Sequence, residues 1–306
     1  DTIPALTGFC RAGQAAWMTV FFRILRPRLL PGRKHSANQA LMSDFPSLAR
    51  AAEQAMRAVF EPTPLQRNDH LSDRYDAEIL LKREDLTPVR SYKLRGAFNA
   101  MRKVLDGDPG TRQFVCASAG NHAQGVAFMC RHFGVKGAIF MPVTTPRQKI
   151  GQTEKFGGDA ISIYLTGDYF DDTLAAAQAH CAETGGHFLS PFDDDDVIEG
   201  QASVAVEIEA QLDGLPDMIV MPVGGGGLSA GIRSYFGSRA DLALVEPQGG
   251  ACLAAALKAG APTRLRQINN FADGAAVGQI GEKTFSRMAD IPPAQALTVS
   301  VVRLCT

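Results

Sequence analysis

Three short segments of this chain contain residues that could carry out chemistry on a small, charged molecule. Residues 91–97 contain Lys93, whose amine can attack an aldehyde once it has lost its proton. Residues 118–122 are small and polar and can surround a carboxylate, and residues 224–228 form a glycine run that can surround a phosphate. Together the three segments offer an imine-forming amine and two anion sites.

Lys93 is predicted to lie in the first turn of a helix, two residues after Ser91, which is a suitable N-cap. We expect the positive end of the helix dipole and the nearby cations Arg90 and Arg95 to disfavour the ammonium form. The deprotonated amine is the form that acts as a nucleophile. An ordinary exposed helix lysine is the alternative interpretation of this residue taken alone.

Residues 118–122 follow a predicted strand and lead into a predicted helix. Gly120 permits close approach of the backbone, while Ser118 and Asn121 offer side-chain hydrogen bonds. Successive N–H groups at a helix start form an anion site that suits a substrate carboxylate. A plain capped turn is the alternative, and a histidine at the position of His122 is more typical of packing or capping than of catalysis.

Residues 224–227 are four glycines between a predicted strand and a predicted helix. Without side chains, several amides can converge on phosphate oxygens at the helix N-terminus, although a flexible turn is the alternative. The run lacks the ending of an ATP-binding P-loop and the spacing of a dinucleotide fingerprint, which favours a small phosphate monoester. An amine, a carboxylate site and a phosphate site are what a pyridoxal 5'-phosphate (PLP) enzyme acting on amino acids must supply.

Two charged stretches are interpreted as solvated. Four adjacent carboxylates, residues 193–196, cannot all face one ion, so we expect a solvated loop there. Residues 82–85 are interpreted in the same way, as charged residues at a strand exit beside the site.

The composition excludes several classes of protein. The chain has 306 residues, of which 45% are hydrophobic and 21% charged, as is typical of a soluble globular protein. The net charge of -1 gives no indication of a nucleic-acid or acidic-membrane partner, and no apolar run is long enough to span a bilayer. The six cysteines form no Cys-x-x-Cys pair, which argues against a zinc site or a disulfide scaffold and fits the cytoplasm.

From about residue 60 onward, short apolar runs alternate with amphipathic stretches. Strands that alternate with helices of roughly 10 to 15 residues indicate crossover units, mostly parallel sheets and so an α/β fold. We predict a small domain at residues 113–188 and a discontinuous large domain at residues 42–112 and 189–306, with the site in the cleft between them.

Residues 1–41 are rich in arginine and contain one acidic residue, Asp1. Such a leader is typical of an organelle transit peptide, and the alternative is an unstructured extension or a mis-set start. We expect the segment to be disordered, because the helical pattern that flows into the rest of the chain begins after Met42.

The segments occur in the order and spacing of the threonine dehydratase (threonine ammonia-lyase) family, which the chain resembles from about residue 60 to 299. The resemblance is carried by residues 63–65, 81–85, 91–97, 118–127 and 222–228. Residues 89–93, 118–127 and 271–274 are most similar to the biosynthetic branch, which serves isoleucine biosynthesis. The resemblance implies a PLP enzyme of fold type II, with two open, twisted, mostly parallel sheets flanked by helices.

The resemblance also implies roles for individual residues. Lys93 would hold the cofactor aldehyde as an imine and remove the substrate α-proton, Tyr92 would stack near the ring, and Asn121 would bind the 3'-oxygen of PLP. The phosphate cup would consist of Gly224, Gly225, Gly226, Gly227 and Leu228. The substrate-binding loop would consist of Ser118, Ala119, Gly120, Asn121 and His122, and no metal is implied.

The implied reaction is deamination of L-threonine to 2-oxobutanoate and ammonia, and more slowly of L-serine to pyruvate, in a full-length protein that forms a homo-oligomer. A catabolic serine/threonine dehydratase or a serine racemase shares the same motifs. An alternative from another class is a PLP-binding fragment without turnover.

The end of the chain carries a further expectation. In the family, a serine in a later segment contacts the pyridine nitrogen, whereas here the match ends near Val299 and Ser300 lies too early for that role. We therefore expect a C-terminally truncated large domain with an open sheet edge. Such a chain should bind PLP weakly, aggregate and show little activity.

Overall fold

Alternating strands and helices build the part of the chain that the computed structural model describes, which is residues 19–23, 44–272 and 274–300. The strands are β1 (Thr19–Arg23), β2 (Leu65–Arg67), β3 (Glu78–Lys82), β4 (Gln113–Ala117), β5 (Lys136–Met141), β6 (Ile161–Leu165), β7 (His187–Phe188), β8 (Met218–Pro222), β9 (Asp241–Pro247) and β10 (Ala296–Val299). The helices are α1 (Phe45–Met56), α2 (Asp69–Tyr75), α3 (Lys93–Gly107), α4 (Asn121–Phe133), α5 (Arg147–Gly157), α6 (Phe170–Thr184), α7 (Asp195–Gln211), α8 (Gly227–Phe236), α9 (Cys252–Ala259) and α10 (Glu282–Ser286).

The strands form two sheets. One has the order β6-β5-β4-β7 and is parallel throughout. The other has the order β10-β9-β8-β1-β3-β2, in which β8, β9 and β10 are parallel, β1 is antiparallel to both neighbours and β2 is antiparallel to β3. The predicted α/β architecture of sheets flanked by helices is confirmed.

The four-stranded sheet lies wholly within residues 113–188, the range predicted for a small domain. One buried apolar cluster nevertheless joins Leu94 of α3 to Phe114 and Ile139 of this sheet and to Val197 of α7. The division into a small and a large domain stays a prediction.

Strand β1 lies inside the segment that we expected to be disordered. Thr19–Arg23 pairs antiparallel with β3 on one side and with β8 on the other. The sequence Thr-Val-Phe-Phe-Arg is rich in β-branched and aromatic residues, which favour a strand, and its backbone pairs with groups of both neighbours. For these five residues the expectation of disorder is wrong, and the rest of residues 1–41 lies outside the described part of the chain.

Two kinds of feature do not occur among the described residues. No helix there is long and apolar enough to cross a membrane. No three His, Cys, Asp or Glu residues within the described ranges lie together so that they could hold a metal ion.

Candidate active site

Lys93 is the first residue of α3, and its side chain turns towards residues 189–193. The Lys93 Nζ donates a hydrogen bond of 2.7 Å to the carbonyl oxygen of Pro191. The same Nζ lies 5.6 Å from the ring centre of Tyr92 and 6.0 Å from that of Phe192. The residue keeps some exposed surface, but its amine lies so deep among protein atoms that burial lowers its pKa to about 8. A substantial fraction of neutral amine is therefore available at mildly alkaline pH.

Two expectations about the surroundings of Lys93 are wrong. Tyr92, not Ser91, is the N-cap of α3. Ser91 Oγ is buried and has no hydrogen-bond partner among the described residues. The cause of the lowered pKa is burial of the amine, because the guanidinium of Arg95 is bound by carboxylates elsewhere.

Residues 118–120 connect β4 to α4, and Asn121 and His122 begin that helix, so the segment leads from a strand into a helix as the sequence predicts. The Ser118 amide donates to the carbonyl of Phe140, and its Oγ accepts a bond of 3.2 Å from the amide of Gly120, the N-cap of α4. Ser118, Ala119, Gly120 and Asn121 are all half-buried. The first amides of α4 have no acceptor within the helix, so they can bind an anion.

The close packing of α4 on α3 brings this loop to Lys93. Gly125 lies one turn along α4 from Asn121, and a Cβ on Gly125 would lie 3.3 Å from the carbonyl carbon and oxygen of Lys93. Any side chain there would press on the first turn of α3. The absence of a Cβ therefore permits the approach of the two helices.

His122 is neutral and serves the packing of the site. It is 3% exposed, and its Nε2 lies 3.0 Å from the carbonyl oxygen of Leu189. Burial, together with the charge of Lys93, lowers the pKa of His122 to about 3. This environment supports the packing or capping interpretation over a role as an acid or base.

Residues 224–228 connect β8 to the N-terminus of α8. Gly226 is the N-cap and has a φ of 92°, a left-handed conformation that glycine adopts without strain. The carbonyl of Gly225 accepts a hydrogen bond of 2.8 Å from Thr284 Oγ1. Leu228 is 3% exposed and packs in the core, so its backbone amide is the group it can offer to an anion. This helix start has the amides and dipole that a phosphate requires.

Residues 189–193, which the sequence analysis did not single out as part of the site, join the three motifs. The carbonyl oxygen of Leu189 accepts a hydrogen bond from His122, and the carbonyl oxygen of Pro191 accepts one from Lys93. The Phe192 ring packs so closely on Gly225 that a Cβ there would collide with it, and a Cβ on Gly227 would lie 3.2 Å from the Phe192 Cα. No pattern in the sequence indicated this segment, because it acts through two backbone carbonyls and one aromatic ring.

The acidic run that follows is not a solvated loop. Asp193 accepts hydrogen bonds from the amides of Glu282, Lys283 and Thr284 at the start of α10. Asp194 caps α7, Asp195 pairs with Lys283 and Arg287, and Asp196 pairs with Lys103. The expectation of solvation is wrong, because each carboxylate has its own partner.

The expectation of solvation is also wrong for half of the second charged stretch, residues 82–85. Lys82 and Glu84 are fully buried, and they interact with Arg95 and Glu207, both almost inaccessible. We call these four residues the buried charge cluster. Within the same stretch, Arg83 and Asp85 pair with each other and remain partly exposed. Buried and partly exposed residues alternate along this stretch, and each kind includes one cation and one carboxylate. Residue type alone therefore could not show which of the four are buried.

The motif at residues 271–274 is only partly described. Phe271 is 57% exposed, and Asp273 lies outside the described residues. Gly274 lies close to the glycine run, because a Cβ on Gly224 would be 3.4 Å from its carbonyl oxygen.

Comparisons with known proteins agree with this arrangement. The chain is 48% identical over 258 residues to "L-threonine dehydratase biosynthetic IlvA" of Bacillus subtilis (83% of this chain, 61% of the relative). It is 46% identical over 241 residues to the protein of that name from Lactococcus lactis (77% and 58%). The solved structure of the processed form of threonine deaminase isoform 2 from Solanum lycopersicum superposes with a TM-score of 0.74 and 33% identity, covering 90% of this chain and 80% of that one.

The chain spans about three-fifths of the length of these curated relatives. Residues 57–300 match the family described as "Pyridoxal-phosphate dependent enzyme". This match covers most of the chain and includes all three motifs of the candidate site. The chain belongs to the family of pyridoxal-phosphate dependent enzymes.

Proposed function

We propose that the protein is a PLP-dependent lyase that converts L-threonine into 2-oxobutanoate and ammonia, and L-serine more slowly into pyruvate and ammonia. This would be the first step of isoleucine biosynthesis, in keeping with the name of the bacterial relatives. The single observation that carries the proposal is the buried amine of Lys93, with its pKa lowered to about 8, among residues that also contact the carboxylate loop and the glycine run.

The donors present suit the cofactor. PLP carries an aldehyde and a phosphate, and the chain offers a deprotonable amine and the uncapped amides of α8. Gly226 has no side-chain cap hydrogen bond that would compete for those amides. The residues that would hold PLP are Lys93, Tyr92, Asn121, Gly224, Gly225, Gly226, Gly227 and Leu228.

Each part of the site has a separate task in the proposed reaction. When bound, PLP supplies an electron sink for the charge that remains on the α-carbon. The amine of Lys93 takes the α-proton, which it can do once it is neutral. The loop of residues 118–122, with the first amides of α4, holds the substrate carboxylate, and the glycine run holds the cofactor phosphate.

The atoms of the reaction balance without a further reagent. Threonine loses its α-proton and its β-hydroxyl, which leave together as water. The enamine product becomes an imine, and hydrolysis consumes one water and releases ammonia and the 2-oxo acid. The net change is one amino acid to one 2-oxo acid and one ammonia.

We further propose that the full-length protein lies in the cytoplasm and that it forms a homo-oligomer. Tyr164, Leu165, Tyr169 and Phe170 are large apolar residues that remain 40–76% exposed around the end of β6 and the start of α6. Exposed apolar groups of this kind are typical of contact surfaces between subunits. Sedimentation of the full-length protein would give its subunit number.

The test is an assay of the full-length protein with PLP on L-threonine, L-serine and D-serine. The proposal expects 2-oxobutanoate from threonine at the highest rate, and a PLP adduct on Lys93 after borohydride reduction and peptide mapping. Interconversion of L- and D-serine as the main activity would indicate a racemase. An adduct on Lys93 without any 2-oxo acid would indicate a binding protein and would contradict the proposal.

A further inference from the structure

The buried charge cluster lies directly behind the first turn of α3. The Arg95 guanidinium binds Glu84 through Nε and Nη2, at 2.7 and 2.8 Å. Its Nη1 and Nη2 also bind the two carboxylate oxygens of Glu207, at 2.7 and 2.9 Å. The side chains of Arg95, Glu84 and Glu207 are at most 1% exposed. One guanidinium thus bridges two carboxylates away from water.

Lys82 is the fourth member of the cluster, and Thr63 lies outside it but binds to its members. Lys82 Nζ donates to Glu207 Oε2 at 2.6 Å and to the carbonyl oxygen of Thr63 at 2.5 Å. The Thr63 hydroxyl donates to Glu84 at 2.6 Å and lies 3.2 Å from Glu207. These bonds tie β3, the 3-10 helix Glu84–Leu86, α3 and α7 to one another.

The Glu84–Arg95 ion pair closes a loop of chain that contains Lys93. Within this loop Thr87 Oγ1 donates to the carbonyl of Ser91 and accepts from its amide. Arg90, between them, has a φ of 60°, a conformation that costs a non-glycine residue free energy and must be held by its surroundings. The path of the chain into Lys93 is therefore fixed from both ends.

Lys93 and Arg95 point in opposite directions. Residues two apart on a helix are separated by about 200° around its axis. Arg95 faces the cluster, so Lys93 faces Pro191 and the candidate site. On the same side as the cluster, Gly200 of α7 lies against α3, where a Cβ would come within 2.8 Å of the Gly96 Cα.

We propose that the buried charge cluster is a positioning device, in which Glu84, Arg95 and Glu207 hold the first turn of α3 so that the amine of Lys93 stays enclosed at the site. Buried ion pairs are weak evidence for stability, since well-packed apolar residues often serve it as well. Charges that come from four different elements and gather around one helical turn instead define a single geometry for that turn. The inference rests on the proposed role of Lys93.

The test measures the Lys93 amine itself, in the full-length protein without added PLP. Acetylation of Lys93 by acetic anhydride is followed across pH by peptide mass spectrometry. In the wild type we expect the midpoint near pH 8, the value to which burial lowers the pKa. His122 and Tyr92, the titratable neighbours, have pKa values of about 3 and about 12, so neither changes charge in this window.

Arg95→Lys is the variant of choice, because it keeps the charge of the cluster but cannot bridge two carboxylates with one fork. We expect the midpoint for Lys93 to rise by at least one pH unit, which means about tenfold less neutral amine at pH 7. The yield of PLP trapped on Lys93 by borohydride should fall at least tenfold. The control is Phe236→Leu, at the far end of α8 in the main core, which lowers the melting temperature without moving the midpoint.

A melting temperature that falls in Arg95→Lys while the midpoint stays near pH 8 would overturn the proposal, since the cluster would then only stabilise the fold. If Arg95→Lys does not fold, Thr63→Val serves instead. It removes a hydroxyl that donates to Glu84 and accepts from Arg95 Nη2, without changing charge. An unchanged midpoint would again overturn the inference. A raised midpoint in a protein that never releases 2-oxobutanoate would support the positioning role and refute the proposed function.

Discussion

At the scale of single residues, the amine of Lys93 owes its proposed reactivity to burial. Its neighbours include the Pro191 carbonyl and the rings of Tyr92 and Phe192, none of which carries a formal negative charge in this environment. Burial without a counter-ion lowers the pKa of a lysine because the charged form loses its hydration. The same burial that produces a nucleophile therefore costs the folded state free energy.

Replacement of Lys93 by alanine should abolish release of 2-oxobutanoate and leave the protein folded. The residue is the proposed partner of the cofactor aldehyde and the proposed base, and no other lysine stands at the start of α3. The measurement is turnover on threonine, together with a melting curve. Lys258→Ala, on the exposed side of α9, is the matched control and should keep wild-type turnover. Substantial activity in Lys93→Ala would refute the assignment.

Lys93→Met should make the protein more stable at neutral pH, by about 1–3 kcal/mol. The pKa of Lys93 is about 8 in the folded state against 10.5 ordinarily, so the unfolded chain binds more protons between these values. Wild-type stability should therefore rise with pH from about 8 to 10.5, and the advantage of Lys93→Met should shrink over that window. Urea unfolding at a series of pH values measures this. A gap between variant and wild type that does not change with pH would contradict the expectation.

At the scale of elements, the site depends on two helices that begin where parallel strands end. β4 leads into α4 through residues 118–120, and β8 leads into α8 through residues 223–226. Each junction leaves helix amides without acceptors in their own helix, which suits anions. Residues 189–193 then connect the two junctions through Leu189, Pro191 and Phe192.

Gly225→Asp should weaken PLP binding at least tenfold. The new carboxylate repels the cofactor phosphate, and its Cβ collides with the ring of Phe192. Gly225→Ala carries the collision alone, so the difference between the two variants isolates the charge. PLP titration and a melting curve provide the measurement.

Gly151→Asp is the matched control for Gly225→Asp. It adds the same side chain on α5, where a Cβ has no neighbour within 4 Å, and it should bind PLP like the wild type. If Gly225→Asp also keeps wild-type PLP affinity, the phosphate does not lie at the glycine run.

At the scale of the whole molecule, charges far apart in sequence meet in the buried cluster. Glu207 of α7 contacts Lys82 of β3 and Arg95 of α3, across 125 and 112 residues of sequence. Burial opposes the charge of Glu207, but Arg95 and Lys82 outweigh it and lower the pKa of the carboxyl to about 2. Such a contact stabilises the fold only while the carboxylate is charged.

Glu207→Gln should lower the free energy of unfolding by about 3 kcal/mol at neutral pH, because it leaves the buried cations short of one partner. The folded pKa lies below the ordinary 4.5, so the contribution is complete above that pH and is lost as pH falls towards about 2. The difference between variant and wild type should shrink over this window in urea unfolding. Asp85→Asn, at the half-exposed pair with Arg83, is the control and should cost less than about 1 kcal/mol. An equal cost in both variants would contradict the prediction.

The sequence by itself determined the family, the alternation of strands with helices, and the three motifs of the candidate site. These features are local: a glycine run between an apolar strand and a helix, or a lysine at a helix start, is visible within a few residues. The positions of Lys93, Asn121 and the glycines at the starts of α3, α4 and α8 follow directly from that pattern.

The tertiary structure decided the rest. It buried Lys82 and Glu84 while leaving their neighbours Arg83 and Asp85 partly exposed, and it inserted Thr19–Arg23 between β3 and β8. It brought residues 189–193 against all three motifs, across about 98 residues in the case of Lys93 and Pro191. The physical reason is that burial, and with it the pKa of an amine or the pairing of a charge, depends on contacts between distant parts of the chain. Neither residue type nor spacing along the sequence encodes those contacts in a form that can be read locally.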